Sequence, residues 1–138
     1  MADRNSIMRN VIEEGLNKGN LSVFDEIQAP NFVFHSAGSG DLDRSGFKQF
    51  ITAVRTAFPD FHAEIAGNVI GEGDTAAIRL HVTGTQQNEF QGIPPTNKFI
   101  DMTEGLFFRY EGDKVVEEWQ HINQLEMLQQ LGVYPPSG

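Results

Sequence analysis

The sequence contains no cysteine, and this absence excludes several kinds of chemistry. A chain without thiols forms no disulfides, has no cysteine nucleophile, and offers no thiolate ligand to zinc or to an iron–sulfur cluster. Its four histidines are spread singly, with no pair at the helical spacing of metal-binding motifs. A phosphate-binding glycine loop, a dinucleotide fingerprint and a nucleophile-elbow motif are missing as well. We therefore expect no metal site and set nucleotide cofactors aside.

Positive charge is also scarce. The chain has 10 Lys and Arg residues against 19 Asp and Glu residues, a net charge of −9. Such a surface repels polyphosphates, so we expect no nucleic-acid partner. Long apolar runs are absent, and the first residues, MADRNSIMRNVIEEGL, lack the apolar stretch of a signal peptide. These absences predict a soluble cytoplasmic protein without membrane contact.

The residues that are present are typical of a folded domain. Of the 138 residues 39% are hydrophobic, and 11 are phenylalanine, enough to fill one core. We find no internal repeat, linker or low-complexity segment. The sequence therefore predicts a single domain over residues 1–138.

Apolar spacing predicts three helices in the first half of the chain. Helical periodicity runs over residues 3–18, over 21–27, and from Phe47 to Phe58, where Pro59 follows. A strand is predicted over residues 31–36, between the second and third helices. The first half is thus mainly helical.

The second half changes to the two-residue period of strands. Alternation predicts strands over residues 61–65, 75–85, 98–110 and 115–123, with Pro94 and Pro95 in a connecting loop. Leu125, Leu128 and Leu131 predict one face of a short last helix that ends at Gly132. Short turns between consecutive strands favour antiparallel pairing, and the helices must then cover one face of the sheet. The fold class predicted is α+β.

The order and spacing of several short segments resemble a known family. These segments are NKGNL (17–21), APNFVFH (29–35), FKQF (47–50), AFPD (57–60), VTGT (82–85), GIPPT (92–96), EEW (117–119) and LQQLG (128–132). Together they resemble the SnoaL-like polyketide (ester) cyclases of the nuclear transport factor 2-like superfamily. The resemblance implies a cone-shaped barrel in which a curved antiparallel sheet is covered by three N-terminal helices and a short C-terminal helix. It also implies an internal pocket for a hydrophobic small molecule and a homodimer formed through the outer face of the sheet.

The resemblance implies a reaction that needs no cofactor. The family catalyses an intramolecular aldol cyclisation, in which a carbon between carbonyls loses a proton and the enolate attacks a second carbonyl. Known members carry an acid/base aspartate after the tryptophan of the last strand, and the matching position here is Asn123. Because an amide cannot take a proton, two hypotheses stay open. The chain is either an enzyme for cyclisation or a related isomerase or lyase step, or a binding or association domain that lost the carboxylate.

Five residues are candidates for the site. The period of a strand places His121 and Trp119 on the same side as Asn123, so that His121 could replace the missing acid/base. By resemblance, His35 lines the cavity, where its imidazole could move a proton. Arg109 could hold a carboxylate or enolate oxygen, and Asn123 and Trp119 could bind substrate.

Each candidate also has a structural alternative, because a histidine can satisfy a backbone carbonyl and an arginine near a turn can lie at the surface. Glu104 is a reserve candidate for the base, since it is the carboxylate in the middle of its predicted strand.

Overall fold

The first helix begins at a capped residue and ends in a widened turn. The structure, a computed structural model, describes residues 3–135. The carboxylate of Asp3 accepts a hydrogen bond of 2.7 Å from the backbone amide of Ser6 and so caps α1 (Arg4–Val11). The helix continues as a π-helical segment, Ile12–Asn17. Arg55 donates to the carbonyl oxygens of Leu16 and Asn17, which satisfies the widened end of the helix.

The second and third predicted helices are also present. They are α2 (Ser22–Ile27) and α3 (Arg44–Ala57), and the side chain of Asp43 caps α3 by accepting from the amide of Gly46. Phe47 of α3 lies at the centre of the core. Its ring centroid is 5.1 Å from that of Phe24 and 5.0 Å from that of Phe34, both in edge-to-face contact. These contacts hold α2 and α3 against the sheet.

Seven strands form one sheet in the order β2-β1-β7-β6-β5-β3, with β4 paired to β5. The strands are β1 (Gln28–Ser36), β2 (Leu42–Asp43), β3 (His62–Ile65), β4 (Ile70–Glu72), β5 (Thr75–Thr85), β6 (Phe99–Glu111) and β7 (Lys114–His121). The sheet is curved and does not close, since β2 and β3 stand at its edges. The predicted α+β class is confirmed.

One strand pairing departs from the predicted antiparallel sheet. β1 and β7 run parallel, with His35 opposite Trp119 and Ser36 opposite Gln120. The two strands are far apart in sequence, so no short turn dictates their relative direction. β1 also begins earlier than predicted, at Gln28, and the short strands β2 and β4 were not predicted because two or three residues carry no readable period.

The short C-terminal helix is present as α4 (Gln124–Gln130), but its buried face differs from the prediction. Met127 and Leu131 are buried, whereas Leu125 is 48% exposed. Gln130 fixes the helix to β6 through two hydrogen bonds with the backbone of Asp101. Among residues 3–135, no helix is long and apolar enough to cross a membrane.

The two faces of the sheet differ in what covers them. On β5 and β6 alternate side chains, among them Leu80 and Met102, are buried beneath the helices; we call this the inner face. Their sequence neighbours, such as His81 and Phe107, lie on the outer face, which no helix of the described chain covers. The period of two therefore decides which side chains can reach the interior.

Candidate functional site

A cavity of about 110 Å³ lies between the helices and the inner face of the sheet. A single water needs roughly 10–15 Å³, so this space takes on the order of eight to ten heavy atoms, the size of a bicyclic molecule. Its wall is mostly apolar. The main apolar contributors are Met8, Val11, Ile12, Leu16, Phe24, Phe34, Phe47, Phe50, Ile51, Val54, Phe58, Val82, Ile100, Leu106, Phe108 and Val115.

Two carboxyl groups interrupt this apolar wall. Glu104 on β6 and Glu118 on β7 are 9% and 7% exposed, and both line the cavity. Phe34 on β1 and Phe108 on β6 are the strand partners of Glu118 and share its inner face. Charged carboxylates are rarely buried to this extent without a neighbouring cation. This pair of carboxyl groups therefore marks the cavity as the candidate functional site.

A chain of hydrogen bonds reaches one of the two carboxyl groups. The hydroxyl of Ser36 donates to Oε1 of Gln120 across 2.6 Å, and Nε2 of Gln120 donates to Oε2 of Glu104 across 3.0 Å. Ser36 and Gln120 are direct partners on β1 and β7 and also line the cavity. The chain fixes the orientation of the Gln120 amide, whose nitrogen then stabilises the ionised form of Glu104.

The surroundings raise the pKa of both carboxyl groups. Burial raises the pKa of Glu104 to about 7, and the bond from Gln120 opposes this rise. Burial and, to a smaller extent, the negative charge of Glu104 raise the pKa of Glu118 to about 8. Near neutral pH burial therefore favours the protonated form of both carboxyl groups, and the hydrogen bond from Gln120 makes Glu104 the easier of the two to ionise.

The mouth of the cavity lies where β1 ends. Gly38, in the loop after β1, lies against the side-chain amides of Gln124 and Gln91, and all three residues line the cavity. A Cβ atom on Gly38 would stand only 2.6 Å from Nε2 of Gln124. Because Gly38 and Gln91 are exposed, we take this group as the entrance.

The structure places His35 outside the cavity, contrary to the sequence prediction. Its neighbours Phe34 and Ser36 face the cavity, so the strand period turns the imidazole to the outer face. There Nδ1 lies 2.9 Å from Asp41 and Nε2 lies 2.8 Å from Glu117. The bond with Asp41, and then the bond with Glu117, raise the pKa of His35. Its proton is held in ion pairs and is directed away from the interior.

Trp119 and His121 share the outer face with His35. The indole of Trp119 stacks on the ring of His35, with centroids 5.5 Å apart, and His121 packs edge-on against Phe107. The prediction that Trp119 and His121 lie on one side is thus correct, but that side is the outer one. Neither residue lines the cavity.

Arg109 also lies on the outer face. Its guanidinium forms an ion pair of 2.9 Å with Glu117 and a longer one of 3.3 Å with Glu111. Both carboxylates raise the pKa of Arg109, with Glu117 the larger cause. Phe108 and Tyr110 take the inner positions of β6, so Arg109 does not line the cavity. The predicted contact between Arg109 and an oxygen of a substrate in the cavity is therefore not possible in this arrangement.

Asn123 lies beyond the last strand, at the start of α4. β7 ends at His121, and Asn123 is the N-cap of α4, where its side-chain oxygen accepts from the amide of Glu126 across 3.0 Å. The extrapolation of strand period from Trp119 to Asn123 fails because the strand stops between them. Asn123 is exposed, and it does not line the cavity.

Of the two carboxyl groups in the cavity, Glu104 is the reserve candidate predicted from the sequence, and Glu118 is not predicted. The signal for Glu118 was its place between Glu117 and Trp119, because a residue flanked by two outer-face positions must point inward. The sequence could not show which face was the inner one. Among residues 3–135, no three side chains of the His, Cys, Asp and Glu types are grouped as ligands for a metal ion.

Solved structures of similar proteins share this fold. AclR, a proposed hydroxylase from Streptomyces galilaeus, is 29% identical with a TM-score of 0.81, over 98% of this chain and 99% of its own. IdmH, a proposed polyketide cyclase from Streptomyces antibioticus, is 30% identical with a TM-score of 0.79, over 95% of this chain and 100% of its own. A protein from Catenulispora acidiphila with a ketosteroid isomerase-like fold is 12% identical with a TM-score of 0.75, over 91% of this chain and 92% of its own. The predicted nuclear transport factor 2-like fold is confirmed.

Sequence comparison identifies the family. No curated protein matches the chain. The sequence profile of the SnoaL-like polyketide cyclases, however, matches residues 6–131, almost the whole length. The chain therefore belongs to the SnoaL-like polyketide cyclase family.

Proposed function

We propose that this protein is a cofactor-independent enzyme that moves a proton to or from a carbon next to a carbonyl group. Its substrate is a hydrophobic, carbonyl-rich small molecule held in the cavity, and the reaction is an aldol cyclisation or a related isomerase or lyase step. The observation that carries this proposal is the pair of buried carboxyl groups, Glu104 and Glu118, in a mostly apolar wall.

The two carboxyl groups suit different roles. Glu104, whose ionised form Gln120 stabilises, is the base that removes the proton from carbon. Glu118, with the higher pKa, is the acid that donates to the carbonyl oxygen as the enolate forms. The proton lost by carbon then resides on Glu104, and the oxygen receives the proton of Glu118. We do not assign proton transfer to His35 or His121, because both lie on the outer face.

The comparisons support a small-molecule substrate at a coarse level. AclR is described as a proposed hydroxylase and IdmH as a proposed polyketide cyclase, and each is about as similar to this chain as the other. The name of IdmH, like that of the family, supports chemistry on polyketide-like molecules, whereas the name of AclR states no substrate. The volume of the cavity favours a bicyclic substrate, or the reacting end of a larger one that extends through the mouth.

The outer face supports the predicted homodimer as part of this proposal. Phe99 and Phe107 are exposed there, and Trp119 is half-buried. Exposed aromatic side chains on one sheet face are typical of a surface that a second protein covers. A cytoplasmic location stays a prediction from the sequence.

Exchange of carbon-bound hydrogen tests the proposal without the natural substrate. 2-Tetralone is a bicyclic ketone with acidic protons beside its carbonyl, and NMR in D₂O follows their replacement by deuterium. We expect the protein to accelerate this exchange on the order of 10²-fold or more over buffer. Glu104→Gln should abolish most of the acceleration, and Glu118→Gln should reduce it, since both variants keep the shape of the side chain.

Glu72→Gln is the matched control, because Glu72 is an exposed carboxylate on β4. Exchange that is equally fast in Glu104→Gln and the unsubstituted protein would rule out the assigned base. If 2-tetralone binds and no variant or wild-type sample accelerates exchange, the alternative of a binding domain without chemistry is correct.

A further inference from the structure

Two buried glutamines differ in the hydrogen bonds that their side chains form. Gln86 is 0% exposed, and its amide forms four hydrogen bonds, two donated to the carbonyl oxygens of Asn88 and Ile93 and two accepted from Thr96. Gln28 is 2% exposed, and its Oε1 has no hydrogen-bond partner among residues 3–135. Gln28 lines the cavity, whereas Gln86 does not.

The backbone of Gln28 offers no reason for this burial. Its amide donates to the carbonyl oxygen of Phe24, and its carbonyl oxygen accepts from Arg44 across 3.2 Å, so the main chain is satisfied. The side chain is turned inward by its position on β1, opposite Val115 of β7. A buried acceptor without a hydrogen-bond partner lowers the stability of the folded protein. A bound ligand or a water molecule can supply the missing hydrogen bond.

The position of Gln28 defines which part of a ligand it would meet. Gln28 and Ser36 stand at opposite ends of β1, and Ser36 adjoins the mouth formed by Gly38, Gln91 and Gln124. Gln28 therefore lies at the end of the cavity away from the entrance. Val115, its strand partner there, is apolar and buried.

We propose that Gln28 accepts a hydrogen bond from a hydroxyl group, phenolic or enolic, at the leading end of the substrate. This inference rests on the proposed function, and it adds a substrate class: a hydrophobic ketone that also carries a hydroxyl group remote from the mouth. Oε1 itself needs a donor, which a ligand carbonyl or carboxylate oxygen cannot supply. An ammonium group could donate, but its burial in this apolar end would cost much more than that of a neutral hydroxyl.

A pair of probes that differ in one group tests the proposal. 2-Naphthol and 2-methylnaphthalene have nearly the same shape, and only the first can donate a hydrogen bond. Their dissociation constants are measured by calorimetry for the unsubstituted protein and for Gln28→Met, which keeps length and removes the amide. We expect the ratio of the two dissociation constants to shift by roughly tenfold against 2-naphthol in Gln28→Met. Gln49→Met, at an exposed position of α3, should leave the ratio unchanged.

Two further measurements do not depend on affinity. In the unsubstituted protein, 2-naphthol should move the NMR resonances of the Gln28 side-chain amide, and 2-methylnaphthalene should move them much less. Without ligand, Gln28→Met should be at least as stable to urea as the unsubstituted protein, whereas Gln86→Met should be clearly less stable, because only the second change removes satisfied hydrogen bonds.

The outcomes separate this inference from the proposed function. Binding of both probes with a ratio that Gln28→Met does not change overturns the role of Gln28 alone. A marked loss of stability in Gln28→Met also overturns it, because the amide would then have a partner within the protein. Failure of both probes to bind the unsubstituted protein contradicts the proposed function itself.

Discussion

Gln120 donates a hydrogen bond of 3.0 Å to Glu104, and this contact distinguishes the two buried carboxyl groups of the cavity. Burial raises the pKa of both groups, but only for Glu104 does a donated hydrogen bond oppose the rise. The base and the acid of the proposed reaction are therefore assigned by one amide.

Removal of that amide should shift the pH dependence of proton transfer. In Gln120→Met the ionised form of Glu104 loses its donor, so the pKa of Glu104 should rise. In a plot of the 2-tetralone exchange rate against pH, the acidic limb should then move to higher pH, by up to about one pH unit. Gln49→Met serves as the control. An unchanged profile in Gln120→Met would show that Gln120 does not tune the base.

Stability should fall as the pH rises between about 4.5 and 8. The folded-state pKa values of Glu104 and Glu118 lie near 7 and 8, above the value of 4.5 for a solvated glutamate. In this window the folded protein binds more protons than the unfolded chain, so the free energy of unfolding decreases with pH. The decrease should be on the order of a few kcal/mol, measured by urea unfolding at pH 5 and pH 8.

The same sign is expected from His35 and His81, whose carboxylate partners raise the pKa of each ring. Glu118→Gln separates the contributions, because it removes a buried ionisable group and leaves both histidines in place. The variant should be more stable than the unsubstituted protein at pH 8 and have a flatter pH dependence. An equally steep decrease in Glu118→Gln would assign the effect to the outer face.

The helices and strands could be predicted from periodicity, but the direction of each strand's faces could not. On β6, Leu106, Phe107 and Phe108 are all large and apolar, so the pattern does not tell which side is buried. The strand pairing determines which face is buried. β7 lies between β6 and β1, and Phe34 of β1 stands opposite Glu118 of β7 with both side chains in the interior. That parallel contact joins segments more than 80 residues apart, and no local pattern encodes it. For this reason the sequence predicts His35 inside the cavity, whereas the structure places it on the outer face of the sheet.

The helix cap at Asn123 has a visible signal in the sequence. Asn123 and Glu126 form the spacing of a helix cap, with a capping residue followed three positions later by glutamate. The two-residue period of β7 ends at His121, so it does not determine where the side chain of Asn123 points.

Asn123 should therefore affect stability and not activity. Asn123→Ala removes the side chain that accepts from Glu126 and should lower the free energy of unfolding by about 1 kcal/mol. Asn123→Asp keeps the cap and should be nearly neutral, since aspartate caps helices as well as asparagine does. Urea unfolding and 2-tetralone exchange measure the two effects. Exchange that appears or rises strongly in Asn123→Asp would restore the hypothesis of a lost acid at this position.

Disruption of the outer face should change the oligomeric state. Phe107 is 44% exposed and stands opposite Trp119 on the neighbouring strand, in the middle of the surface that we assign to the dimer. Light scattering after gel filtration should give about twice the chain mass of 15.4 kDa for the unsubstituted protein. Phe107→Asp should give the mass of one chain, because a desolvated carboxylate in each copy opposes association.

Leu125→Asp is the matched control for this last experiment, because Leu125 is a similarly exposed apolar side chain on α4. It should leave the dimer intact if the outer face of the sheet is the interface. A single-chain mass for the unsubstituted protein would contradict the dimer, and dissociation by Leu125→Asp instead of Phe107→Asp would move the interface to α4. Exchange of 2-tetralone by the Phe107→Asp monomer should continue, since Glu104, Glu118 and Gln120 all come from one chain and face away from the outer surface.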